Sequence, residues 1–331
     1  MKTLILNAQD IVRATDRTGL RKAMARALRA IAVEDAANFP RHVIAIDSHR
    51  VMGFMPAFSM PANLIGYKAA SVFSANRKSN RDVHQGLVVL TDPDSGQTVA
   101  ILEASAVTRL RTAAVSAAAT DILSRPESQN LALIGSGRQA FEHALALSEI
   151  RKLKTILICG KSQTRAEELK RALSNHLTCT IEIIADIRAA LANADIAVTC
   201  TAASAKPLLH IEQVAAGTHI NAIGACRPGQ VEIELASRAE LSIFMDSRAA
   251  CMVESEEIIS PLKSGTLNST QIRGDLGDVL SEKIPGRRSE TEITLFKSVG
   301  LGIEDVMAAG YILEQAQILG LGQEINFAGI E

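Results

Sequence analysis

The chain has 331 residues, of which 47% are hydrophobic and 21% charged, and its formal net charge is -1. That length exceeds one ordinary core and fits two domains, and a near-neutral chain with Trp 0, Tyr 2 and Phe 8 has neither the basic stripe nor the stacking aromatics of a nucleic-acid binder. No apolar run is long enough to span a bilayer, and the opening Met1-Lys2-Thr3-Leu4-Ile5-Leu6-Asn7 lacks the extended apolar stretch of a signal peptide, so a cytoplasmic protein is expected.

The first half opens with an amphipathic helix from about Arg17 to Val33, in which Leu20, Met24, Ala27, Leu28 and Ile31 recur at helical spacing. Strand-like runs follow at His42 to Ile46, Val51 to Met55, Leu64 to Phe73, Leu87 to Asp92 and Thr98 to Glu103, interrupted by turn residues such as Pro56, Pro61 and Asp92-Pro93-Asp94-Ser95-Gly96. Strands beside one helix predict an α+β unit. From Ser105 the alanine-rich stretch Ala113 to Thr120 predicts a helix that ends before Arg125-Pro126.

From Leu131 the pattern changes. Strands at Leu131 to Ile134, Thr155 to Cys159, Thr180 to Ile184, Ile196 to Thr199, His219 to Ile223 and Leu241 to Met245 alternate with helices, the pattern of a doubly wound parallel sheet. A last helix, Ile303 to Leu319, is placed to pack back on the first domain. The predicted fold is therefore α/β: residues 123–304 form a Rossmann unit, and residues 1–122 with 305–331 form a discontinuous α+β domain for substrate binding and dimerisation.

Gly135-Ser136-Gly137-Arg138-Gln139-Ala140 stands between the first strand of that sheet and a helix. In this setting Gly135 makes the tight turn, Gly137 admits phosphate oxygens to the backbone, and Ala140 lets the helix lie close to the strand, which is a dinucleotide-binding element. At the end of the second strand a carboxylate would select the ribose diol of NAD. This chain has Gly160-Lys161-Ser162-Gln163-Thr164-Arg165 instead, and Lys161, Ser162 and Arg165 suit a ribose 2′-phosphate, so NADP(H) is expected over NAD(H). Cys159, Cys179, Cys200, Cys226 and Cys251 are odd in number and widely spaced, the pattern of reduced thiols; the histidines lack metal-ligand spacing, and no metal is expected.

Three isolated cations sit among apolar or small residues: Arg41, Lys68 and Arg111. A buried ion pair accounts for any one of them, whereas three together point to a carboxylate pocket. At these positions the chain resembles the ornithine cyclodeaminase and mu-crystallin family over nearly its whole length. The likeness is carried by Arg111-Thr112-Ala113-Ala114, by the glycine turn, by His219-Ile220-Asn221-Ala222-Ile223-Gly224-Ala225, and by Thr294-Leu295-Phe296-Lys297-Ser298-Val299-Gly300-Leu301-Gly302-Ile303-Glu304-Asp305. The resemblance implies a homodimer carrying out NAD(P)-dependent chemistry at the α-carbon of amino or imino acids. It assigns Arg41 and Arg111 to the substrate carboxylate and Lys68 to the carboxylate or the reacting nitrogen. Arg111, Thr112, Thr201, Ile220, Asn221, Ala222, Ile223 and Ser298 fall to the cofactor, with Val299 against the substrate.

One departure discriminates among the family's reactions. Where the cyclodeaminases carry an aspartate that acts on the amine and on water, this chain has Cys226, and the lysine that follows in their Pro-Gly-Lys is Gln230. A thiol with an ordinary pKa of about 8.5 is a poor base near neutrality, so Cys226 is either a small buried filler or a catalytic thiol. The expected activity is NADPH-dependent reduction of cyclic ketimine carboxylates, pyrroline-2-carboxylate or piperideine-2-carboxylate, to proline or pipecolate. Ornithine cyclodeamination, an alanine dehydrogenase-like reaction and a mu-crystallin-like cofactor-bound binding protein are the alternatives; no nucleic-acid or membrane partner is expected.

Overall fold

The computed structural model describes residues 2–47, 49–79 and 83–326. It divides into two compact units, Met1–Thr112 with Leu301–Glu331, and Ala113–Gly300.

The first unit begins with a strand, β1 (Thr3–Leu6), and a short helix, α1 (Ala8–Ala14), before the expected amphipathic helix, α2 (Arg17–Ala32). The sequence reading opened on α2 and missed β1, because four residues give too short a period to recognise and their pairing partners lie far along the chain, on the strands that contain Ala100 and Glu324. Asn7 caps α1 and Asp16 caps α2, its carboxylate accepting the Gly19 N–H at 2.6 Å. Leu20, Ala23, Met24, Ala27 and Leu28 form the buried stripe of α2.

Five further strands and a short one then form a mostly antiparallel sheet: β2 (Ala36–Asn38), β3 (His42–Asp47), β4 (Arg50–Ser59), β5 (Leu64–Phe73), β6 (His84–Thr91) and β7 (Thr98–Glu103). β4 and β5 pair along their full length, from Arg50↔Phe73 to Ser59↔Leu64. β7 lies parallel to β1, and Glu103 opens the following helix, α3 (Ala104–Leu123), by accepting the N–H groups of Ser105 and Ala106. α3 is buried on nearly every side from Leu110 to Thr120, which is why its sequence is alanine-rich rather than amphipathic.

The second unit is a parallel eight-stranded sheet. Its elements in chain order are β8 (Asn130–Ile134), α4 (Arg138–Ser148), β9 (Thr155–Cys159), α5 (Gln163–Ser174), β10 (Thr180–Ile183), α6 (Ile187–Ala192), β11 (Ile196–Thr199), β12 (Leu209–His210), β13 (His219–Ala222), β14 (Ile233–Glu234), β15 (Leu241–Met245), α7 (Arg248–Glu254), α8 (Glu256–Ser264), β16 (Ile272–Asp275), α9 (Leu276–Leu280) and β17 (Ile293–Lys297). The strand order β10-β9-β8-β11-β13-β17-β15-β16 is doubly wound, and the winding reverses between β8 and β11. β12 and β14 pair apart from this sheet. β17, a fully buried central strand, is not among the strands expected from the sequence, and Arg273 to Asp278 run from the edge strand β16 into α9.

The chain then returns to the first unit. α10 (Gly302–Leu319) packs on α1, α2, β4, β5 and β6, and β18 (Gln323–Ile325) pairs antiparallel with β1. Gly302 admits this approach: a Cβ there would lie 2.9 Å from the Met55 carbonyl oxygen on β4. The expected boundaries at 122/123 and 304/305 fall one residue before the end of α3 and inside the first turn of α10, whereas the compact units part at 112/113 and 300/301. Arg125-Pro126 marks the end of a helix, and that helix spans the border of the units.

Candidate active site

In the first unit the sheet and two helices bring four charged side chains out of water. Lys68 stands mid-strand on β5, opposite Met55 on β4 and Val88 on β6, and is 5% exposed. Its Nζ lies 2.6 Å from Asp305 Oδ2 and donates to the Thr108 hydroxyl at 3.3 Å. Arg111, on α3, donates from Nε to Asp305 Oδ1 at 2.9 Å and from Nη1 to Glu304 Oε2 at 2.6 Å. Glu304 and Asp305 are fully buried in the first turn of α10, where the helix dipole favours negative charge.

The electrostatics follow from this packing. Burial pushes the Lys68 ammonium down, Asp305 pulls it back up, and the nearby Arg111 and Arg41 push it down again, to a pKa of about 8. Burial raises the Asp305 carboxyl, but Arg111 and Lys68 outweigh it and hold the group below the ordinary aspartate range. Arg41 precedes β3, is half-buried, and its field reaches Lys68. Lys68 and Arg111 therefore share Asp305, with Arg41 near. The sequence reading gave no role to Glu304 and Asp305, which bind both cations. Two acids opening a helix otherwise resemble a solvated first turn; the signal was that Gly302-Ile303-Glu304-Asp305-Val306 has apolar or small residues on every side. Thr112 is buried, and its hydroxyl donates to the Thr108 carbonyl.

In the second unit the glycine turn has the geometry of a phosphate cradle. Gly135 has φ +133°, and a Cβ on it would lie 2.8 Å from the Cys200 carbonyl oxygen, so only glycine fits. A Cβ on Gly137 would meet nothing within 4 Å, which leaves open space in front of the α4 N-terminus, where first-turn N–H groups have no intrahelical acceptor. Ser136 and Arg138 border that space, Gln139 Oε1 is buried without a hydrogen-bond partner, and Ala140 is packed against β8 with no exposure. Gly160 passes so close to Ser136 that a Cβ would approach its hydroxyl at 2.7 Å. Lys161 and Arg165 are exposed at the end of β9, and Ser162 caps α5 by accepting the Arg165 N–H.

The remaining residues gather at the carboxyl ends of β11, β13 and β17. Thr201 donates both its N–H and its hydroxyl to Glu232. Ile220, Asn221 and Ala222 are buried along β13, with Asn221 Nδ2 donating to the Thr120 hydroxyl at 2.9 Å, and Ile223 is buried just beyond it. Asp246 Oδ2 accepts the Ser298 hydroxyl at 2.9 Å and the N–H groups of Val299 and Gly300 at 2.8 and 2.7 Å, fixing the turn after β17. Cys226 is half-buried against the apolar core of the unit, which suits a space-filling thiol. Sequence reasoning missed Asp246 and Glu232 because both look like solvated acids next to strand ends.

The model of the ornithine cyclodeaminase/mu-crystallin family matches residues 1–318. The chain belongs to that family. It is 31% identical over 274 residues to a Delta(1)-pyrroline-2-carboxylate reductase of Bacillus cereus, covering 82% of this chain and 84% of the relative. Among solved structures of the family, Thermococcus litoralis Delta(1)-pyrroline-2-carboxylate reductase in complex with NADH and L-proline superposes with a TM-score of 0.93 at 27% identity, over 98% of this chain and 100% of that one. An archaeal alanine dehydrogenase dimer with bound NAD superposes with a TM-score of 0.92 at 27% identity, over 99% of this chain and 100% of the other.

Proposed function

We propose that the chain reduces cyclic ketimine carboxylates, pyrroline-2-carboxylate or piperideine-2-carboxylate, to proline or pipecolate with NADPH. The observation that carries this reading is the buried Lys68, held by Asp305 beside Arg111 and Arg41 with its pKa near 8. Such an ammonium exchanges a proton near neutral pH, and an imine must be protonated before its carbon accepts hydride efficiently. Lys68 and Arg111 pair with Glu304 and Asp305, and the field of Arg41 reaches the same lysine, so three cations converge where a substrate carboxylate would be held.

A bound nicotinamide cofactor would supply the hydride, and the residues that would hold it are those of the glycine turn from Gly135 to Ala140, with Thr201, Ile220 to Ile223 and Ser298 at the strand ends. Lys68 gives its proton to the imine nitrogen, and Arg41 and Arg111 orient the carboxylate. The hydride and that proton together give the neutral secondary amine, and the Lys68 amine regains a proton from water. With Cys226 in place of an aspartate, the chain has no carboxylate there to help expel ammonia.

A screen of NADPH oxidation against both cyclic imines, alongside oxo acids with ammonia, is expected to show turnover of the imines. An enzyme that leaves both imines untouched yet releases ammonia from ornithine overturns the reading. The support for NADP(H) is that Lys161 in the β9–α5 loop and Arg165 in the first turn of α5 are exposed with no carboxylate before Glu167, which is itself bonded to Gln163. Charge-assisted hydrogen bonds of about 1.5–3 kcal/mol set the expectation for Lys161→Ala with Arg165→Ala: a fall in kcat/KM of about tenfold or more for NADPH and little change for NADH.

The reading includes a homodimer. β3 is exposed along its length, and Val43 (53%), Ile44 (56%), Ile46 (64%) and Met52 (46%) present a run of apolar side chains on β3 and β4 that a second copy would bury. Light scattering is expected to return twice the mass of one chain, and Ile44→Glu with Ile46→Glu is expected to return a single one.

A further inference from the structure

The segments that leave β11 and β13 are tied together by one carboxylate. Glu232, fully buried, stands immediately before β14. Its Oε1 accepts the Thr201 N–H and hydroxyl, each at 2.6 Å, and its Oε2 accepts the Thr199 hydroxyl and the Gly224 N–H, each at 2.8 Å. All four acceptor sites of an ionised carboxylate are thus filled by donors. Gly224 has to be a glycine for this, since a Cβ would run into the Glu232 carboxylate.

Glu232 is itself held. Its backbone N–H and that of Ile233 donate to Glu257 Oε1 at 2.5 and 2.8 Å, and Glu257 Oε2 pairs with Lys297 Nζ at 2.5 Å. Lys297 Nζ also donates to the Ala225 carbonyl at 2.5 Å. Burial raises the Glu232 carboxyl and the Thr201 hydrogen bonds oppose it. This polar network sits wholly inside the unit, and its outward end consists of two short segments, Thr199 to Thr201 and Gly224 to Ala225.

Their position gives the network a purpose. In a doubly wound sheet the ligand lies outside the carboxyl ends of the strands at the point where the winding reverses. Here that point is between β8 and β11. The glycine turn lies at the end of β8, so the far end of a dinucleotide held there by its pyrophosphate would reach the ends of β11 and β13. We propose that Glu232 is the positioning residue for the nicotinamide end of the cofactor, locking the Thr201 and Gly224 segments in the one arrangement that receives it. The proposal rests on the cofactor reading above.

Glu232→Gln keeps size but turns an NH2 group toward the Thr201 or Gly224 N–H. Thr201→Val removes one donor and leaves the carboxylate in place. Both variants are titrated calorimetrically with NADPH and with 2′,5′-ADP, which lacks the nicotinamide, and the emission of the bound reduced nicotinamide is recorded. The expected result for Glu232→Gln is a rise in the NADPH dissociation constant on the order of tenfold, as for one lost hydrogen bond to a charged group, with altered nicotinamide emission and unchanged 2′,5′-ADP affinity; Thr201→Val shifts in the same direction by less. If both ligands weaken in parallel, or both variants bind NADPH as the unaltered protein does, the proposal is overturned while the cofactor reading stands. Unaltered protein that binds neither ligand overturns the cofactor reading, and the proposal with it.

Discussion

Replacing Asp305 by Ala is expected to destabilise the protein by about 3–5 kcal/mol, the range for removing one partner of a buried ion pair, and to abolish most imine reduction. Asp305 is bound to both Lys68 and Arg111 with no exposure of its own, so its loss takes a carboxylate from two buried cations at once. Asp305→Asn preserves the volume and separates the two effects. It retains an acceptor for Arg111 but withdraws the negative charge that keeps the Lys68 ammonium protonated, so the Lys68 pKa falls further below 8. Chemical denaturation measures the first effect, and the position of the alkaline limb in the pH profile of kcat/KM measures the second. An Asp305→Asn enzyme whose alkaline limb stays where it was would refute the electrostatic link. The sign for stability is also fixed: the Asp305 carboxyl is depressed in the folded state, so the stability from this pairing is present above the ordinary aspartate range and is lost as the pH falls through the depressed value.

Lys68→Met is expected to lower kcat by about 10²–10⁴-fold, the usual contribution of a positioned proton donor, while cofactor affinity is retained. Methionine fills the volume of the lysine stem and Asp305 keeps its bond to Arg111, and chemical denaturation of the variant separates any loss of stability from the loss of rate. In the unaltered enzyme Lys68 carries its proton below a pKa of about 8 and loses it above. Activity in the imine-reducing direction therefore falls as the pH rises through 8, and in the amine-oxidising direction, where deprotonated Lys68 has to take the proton from the iminium nitrogen, the same limb rises. Initial rates in both directions across pH 6 to 10 check this, and parallel profiles in the two directions would count against Lys68 as the proton donor.

How much of this was legible in the chain depended on whether a feature is local. Leu64–Phe73, Thr155–Cys159, Ile196–Thr199 and Leu241–Met245 coincide with their predicted bounds because each is an apolar run flanked by residues that end it. β1 was invisible because nothing within it distinguishes a strand from an irregular start; it exists through pairing with β7 and β18. The cations Lys68 and Arg111 stood out because charge inside apolar sequence is anomalous. Their partners did not, since acids at a helix start are ordinary, and only the tertiary packing of α10 shows that Glu304 and Asp305 are shut away from water. Glu232 and Asp246 were hidden for the same reason: the donors they satisfy are backbone N–H groups and hydroxyls from segments far off in sequence.

The placement of α10 sets an order of events during synthesis. Residues 113–300 form a contiguous unit whose strands are complete before the last helix leaves the ribosome, and such units fold as they emerge. Residues 1–112 emerge first yet hold Lys68 and Arg111 without the two acids that neutralise them, because Glu304 and Asp305 are made nearly two hundred residues later than Arg111. The first unit to be translated is therefore the last to be finished, and a chain truncated before Gly302 carries Lys68 and Arg111 without Glu304 and Asp305.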